Sequence, residues 1–220
     1  MANKRGNAYG LTVFFPILPH GPQNTEDGVN GQTFAALIRY ELQRVGCNDE
    51  SPMAQVPNTY LARFFVLNDV VHQGKPAHLE HLNSNYLVFS SNFHGELEPY
   101  LEGMWNAIQD TIQAVLQYCV GFENVRDARG FVEYIKKCQV TTTFYFSGST
   151  DDSLAEQLKG LYIKQELSVF AYENQGRPAV ELQAAFREFI KRTQPENLAG
   201  PTWKAGAHRL EDAVVETYQK

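Results

Sequence analysis

Apolar residues alternate along Leu11–Leu18, placing Leu11, Val13, Phe15 and Ile17 on one face and Thr12 and Phe14 on the other. That two-residue period predicts a β-strand, with Pro16 marking an edge position or the end of pairing. A loop rich in glycine and proline follows over 19–31. From Phe34 the period changes: Phe34, Leu37, Ile38, Leu42 and Val45 recur at steps of three and four, which is one face of a helix. Gly46 stands where a left-handed C-terminal cap is expected. Tyr60–Asp69 and Tyr86–Phe93 return to strand composition, and the polar connection between them carries three of the six histidines. The longest stripe follows, from Leu97 through Tyr100, Leu101, Met104, Trp105, Ile108, Ile112, Val115 and Leu116 to Cys119, and predicts a second helix stopped by Gly121. Phe131, Tyr134, Ile135 and Cys138 predict a short third helix. Val140–Phe146, rich in threonine and aromatic residues, predicts a fourth strand.

The first 146 residues therefore read strand, helix, strand, strand, helix, strand. The natural solution is a split βαβ arrangement, an antiparallel four-stranded sheet with helices on one face and the first and third predicted strands at its centre. The rest is predicted helical. Ser149 and Thr150 are candidate caps for a helix through Leu154, Leu158 and Leu161, and Pro178 opens another through Val180, Leu182, Phe186, Phe189 and Ile190. The tail from Thr193 reads as a surface arm, with a short helix over Leu210–Tyr218. The expectation is an α+β chain: a sheet domain over 1–146, and over 147–220 a helical C-terminal extension and arm packed on it. No internal repeat is present.

Composition narrows the function. A chain of 220 residues, 43% hydrophobic and 12% aromatic, builds a core of its own. Nineteen basic against 25 acidic side chains give a net charge of -6, which argues against gripping a nucleic-acid backbone. No apolar run approaches the roughly 20 residues of a membrane helix, and the N-terminus lacks the apolar centre of a signal peptide, so a cytoplasmic protein without a membrane partner is expected. Cys47, Cys119 and Cys138 are too few and too scattered for a disulfide framework or zinc ribbon. Cys119 and Cys138 fall at apolar helix positions, as small buried hydrophobes.

Candidate chemistry sits in the middle of the chain. His78 and His81 have the three-residue spacing of two ligands on a helical turn, and His72 or His94 is a candidate third metal ligand; the alternative is a solvated loop pair. Arg63 interrupts a strand whose two faces both read as covered. It either pairs with an acid such as Asp69, snorkels from an edge, or clamps an anion such as a carboxylate. Asn92 is a candidate cap for the long helix, whose N-terminus can hold an anion, and His94 beside it is a candidate general base. Glu96 and Glu98 are placed to use the same helix dipole. The Gly-Xaa-Ser-Xaa-Gly, P-loop and dinucleotide-binding motifs are absent, and the Ser147–Asp152 stretch lacks a phosphate-loop lysine. No diagnostic catalytic signature decides whether the chain is an enzyme.

The order of elements resembles the ferredoxin-like fold, in particular the dimeric α/β-barrel group. Leu61-Ala62-Arg63-Phe64, Leu87-Val88-Phe89-Ser90-Ser91-Asn92-Phe93-His94-Gly95 and Tyr100-Leu101 also resemble a bacterial protein family without assigned catalytic residues. The barrel group includes haem peroxidases, chlorite-dismutase-like proteins and small monooxygenases, so the resemblance implies haem as a candidate cofactor and a homodimer through the sheet face. Unlike the haem enzymes, this chain holds one ferredoxin-like unit rather than two. The expected function is small-molecule binding in bacterial oxidative metabolism, for an apolar or anionic ligand. Its pocket would be lined by Phe14, Phe64, Phe89 and Tyr145, with Arg63 as polar anchor. The alternatives are a non-catalytic interaction or assembly module, and a haem-dependent or cofactor-independent oxidoreductase.

Overall fold

Tyr9, Leu11, Val13 and Phe15 are buried while Thr12, Phe14 and Pro16 are half-buried, the signature of a strand with one face under a core. The structure, a computed structural model, describes residues 3–19, 33–72, 74–75, 80–148 and 151–205. The chain divides into two compact units, 1–148 and 149–220. In the first, β1 (Lys4–Arg5), β2 (Ala8–Pro16), β3 (Thr59–Leu67) and β4 (Tyr86–His94) form an antiparallel sheet in the order β1-β2-β4-β3. Among the described residues three α-helices belong to this unit: α1 (Phe34–Arg44), α2 (Leu97–Leu116) and α3 (Ala128–Cys138). All three contribute to the core on one face of the sheet, where Leu11, Val13, Phe15, Phe89 and Phe93 meet Ile38, Leu101, Met104 and Phe131. Each such fully buried large side chain is worth about 1.5–3 kcal/mol relative to exposure.

Local chemistry sets the helix ends. The Thr33 hydroxyl accepts the Ala36 N–H at the start of α1, and the Asp127 carboxylate accepts the Gly130 N–H at 2.7 Å to start α3. Helix α1 closes at an extended Val45, whose N–H donates to the Leu42 carbonyl; Gly46 is not in the left-handed region, so it is not the expected cap. Helix α2 breaks its regular backbone at Ile108 and ends at Leu116, short of Cys119, which bridges to Ile17 instead. Gly121 adopts a left-handed φ of 83° and turns the chain into a short 3-10 segment.

The expected strand Val140–Phe146 does not form. Gln139 bridges Val13, and the Val140 N–H donates to the Thr12 carbonyl at 2.9 Å, but pairing goes no further. The next stretch of the β2 edge is already taken. Lys4 and Arg5 pair with Tyr9 and Ala8, and the Gly10 N–H donates to the Asn3 carbonyl. The buried Asn3 side chain then accepts the Thr142 N–H at 2.8 Å, joining the two segments that share this edge.

In the second unit, α4 (Leu154–Glu173) and α5 (Ala179–Thr193) carry the helical extension. Ser153 caps α4 in a reciprocal pair with Glu156, in place of Ser149 and Thr150, which lie outside the described residues. Pro178 precedes α5 as expected. The buried Lys159 ammonium donates to the Thr193 and Pro201 carbonyls, both at 2.7 Å, and so ties down the end of α5. Phe170, Phe186 and Phe189 form an aromatic cluster between the two helices. The Leu210–Tyr218 segment lies outside the described residues. No helix among the described residues is long and apolar enough to cross a membrane.

Candidate functional site

Antiparallel register converts sequence position into rows of side chains across the sheet. On the face away from the three helices, one row is Arg63, Ser90 and Thr12, one residue from each of three neighbouring strands. The row beside it is Phe65, Val88 and Phe14, and the row on the other side is Leu61, Asn92 and Gly10. Above Gly10 lies Tyr145: a Cβ built on Gly10 would stand 2.7 Å from the ring, so glycine is what lets the phenol settle there. Burial at that spot pushes the Tyr145 hydroxyl pKa up. A polar strip thus crosses the open face between aromatic and aliphatic flanks, with Leu61 and Phe65 exposed at 53% and 45%.

Arg63 shares a face with Leu61, Phe65 and Leu67 as alternation requires; at the β3 end of this face Leu61, Arg63 and Phe65 are exposed, while Val88 on the neighbouring β4 is buried. Solvent therefore satisfies the guanidinium. The expected pair with Asp69 does not form, and among the described residues the side chains of Arg63, Ser90 and Asn92 have no hydrogen-bond or ion-pair partner. Asn92 sits within β4 opposite Gly10 and does not cap α2. The cap position of α2 is Glu96, whose side chain makes no capping bond; Glu96 pairs with Lys4 and Glu98 with Lys136.

His94 ends β4. A register shift between Thr59 and Leu61 leaves Tyr60 as an extra residue, and its hydroxyl is hydrogen-bonded to His94 Nδ1 at 2.9 Å. Asp69 organises the connection after β3. Its Oδ1 accepts the N–H groups of Val70 and Leu82 and its Oδ2 contacts His81 Nδ1 at 2.7 Å. The His81 hydrogen bond, with those two backbone donors, holds the Asp69 carboxyl down to about 2. Asp69 therefore closes a loop and stands apart from the Arg63 row. His72 is exposed on the same connection and His78 lies outside the described residues. Among the described residues, no group of three or more His, Cys, Asp or Glu is placed to hold a metal ion.

The expected pocket combined residues from opposite faces. Phe14 and Tyr145 belong to the open face, whereas Phe64 and Phe89 stack at 4.4 Å within the core. Haem needs an axial ligand at the wall of a slot. His72 and His81 lie on the exposed connection, His94 is tied to Tyr60, and none of them lines the core cavity or the groove at Gln113–Arg126. Among the described residues, these histidines do not fit a haem site. The thiols of Cys119 and Cys138 are equally unsuited to nucleophilic work. Burial, helped by the nearby Cys138, pushes the buried Cys119 up to about 12, and burial also raises Cys138.

Reading the sequence missed Ser90, Thr12 and Gly10 as members of the site, because their only signal is the cross-strand register. No family model, curated protein or solved structure matches this chain.

Proposed function

We propose that this protein binds a small anionic molecule with an apolar body on the open face of its sheet. One observation carries the reading: an exposed Arg63 without a carboxylate partner, set in a row with Ser90 and Thr12 beside Asn92, between the flanks Phe65–Val88–Phe14 and Leu61–Tyr145. A guanidinium presents a planar fork to a carboxylate, and hydroxyl and amide groups beside it complete the oxygen contacts. An exposed ion pair contributes only about 0.2–1 kcal/mol, so the apolar flanks supply most of the affinity and the charge supplies orientation.

The strand order β2-β4-β3, with α1 and α2 crossing on one face and residues 139–140 at the far edge of β2, supports the ferredoxin-like resemblance. Placement in oxidative metabolism draws on that resemblance to the barrel group. Benzoate and benzamide, alike in shape and different in charge, test the binding reading by amide NMR. Saturable shifts at Arg63, Ser90 and Asn92 with benzoate, and much weaker ones with benzamide, are expected. Equal responses, or none, would contradict it.

The exposed Leu61 and Phe65 favour one other reading, a second copy of the chain pairing through this face. Sedimentation distinguishes it: a concentration-dependent dimer abolished by Phe65→Asp would place the partner there in preference to a small molecule.

A further inference from the structure

On the opposite side of the sheet, beneath the helices, lies a cavity of about 60 Å³. Its walls come from the inner sheet face, α1, α2, α3 and the turn at Pro52–Gln55, and the exposed part of its lining carries no polar atom. Three features distinguish it from an ordinary packing defect. Its volume is several times the roughly 10–15 Å³ that admits one water, yet apolar walls give a water no partner. It lies against the one break in α2, where Ile108 leaves helical geometry at φ -137° and ψ 33°, and Met104 and Ile112 on either side of the break also line it. No proline follows in α2 to impose that break. Finally, Met53 and Met104 both line it, and unbranched thioether side chains re-pack around guests of different shape at little cost. Half-buried Val45, Pro52 and Thr111 form its outer rim.

We propose that this cavity is a second binding site, separate from the open sheet face, for a small uncharged apolar molecule or the short alkyl end of one. A charged or hydrogen-bonding group would lose its hydration there without compensation, so the site selects against the ligands that Arg63 attracts. The volume is below the about 150 Å³ of engineered cavities that accept benzene, which points to guests the size of xenon or cyclopropane.

The chain holds three methionines, Met1, Met53 and Met104, two of which line the cavity. Methyl-labelled methionine therefore reports on it directly, with Met1 as internal reference. Under xenon or cyclopropane, the Met53 and Met104 methyl signals of the full chain are expected to shift saturably while Met1 stays still. Val45→Phe and Thr111→Leu, which add bulk from half-buried rim positions, are expected to reduce those shifts at least fivefold in a protein that stays folded by its amide spectrum. The absence of a saturable shift, an equal shift at Met1, or undiminished shifts in both folded variants would overturn the proposal.

Discussion

Arg63 shows what strand alternation can and cannot say. Its parity, shared with Leu61, Phe65 and Leu67, is legible in the sequence because side chains alternate along the regular part of a strand, here beyond the bulge at Tyr60. Its exposure is not, because alternation cannot tell which face the helices cover. Both faces of β3 carry large apolar residues, Phe64 on the inner and Phe65 on the outer, so the hydrophobic count is silent. Asp69 was legible as a nearby acid but not in its role, which depends on two backbone N–H groups one and thirteen positions further along the chain. Its carboxyl lies near 2 in the folded chain, below the ordinary 3.8. The stabilisation from this group is complete above about pH 4 and is lost as pH falls through about 2. The Leu82 amide shift should accordingly titrate with a midpoint near 2, and a midpoint near 4 would show that the loop closure is not made. On the covered face, Ser91 is 1% exposed and its hydroxyl meets the Tyr100 hydroxyl at 2.8 Å. Tyr100→Phe strands that hydroxyl and should cost about 1–3 kcal/mol in denaturant unfolding. Adding Ser91→Ala should recover part of the loss, since the orphan group is gone.

Among the elements, long periodic stripes were readable and edge pairing was not. The stripes of α1, α2 and α3 and the alternation of β2 and β4 follow from burial of one face, which periodicity records directly. Residues 140–146 have strand-favouring side chains, yet a strand also needs a free neighbour. Lys4 and Arg5 had claimed that edge of β2, and a two-residue strand leaves almost no sequence signal. The displaced segment instead lays Tyr145 over Gly10. Gly10 is buried, and Gly10→Ala puts a methyl 2.7 Å from the edge of the Tyr145 ring, so the ring must move away at a stability cost of about 1–3 kcal/mol. The Tyr145 ring resonances report the displacement, and unchanged resonances would show that the phenol does not rest there.

At the scale of the whole molecule, the hydrophobic core cluster falls entirely within the first unit, between Tyr9 and Cys138. A fragment of residues 1–148 should therefore unfold as one cooperative transition on its own. A gradual, non-cooperative melt would mean that the core depends on the remainder of the chain. Near this boundary the periodicity of the sequence switches from mixed to purely helical. What composition left open is the chemistry of the face that the core does not use, where the proposal is a small anionic ligand held through Arg63. The most direct measurement is benzoate affinity of the full chain and of Arg63→Ala, an exposed substitution that leaves the core untouched. If the ligand is held through Arg63, about a fivefold loss is expected, the equivalent of about 1 kcal/mol for a solvent-screened charge contact. Equal affinity in the two proteins would contradict it.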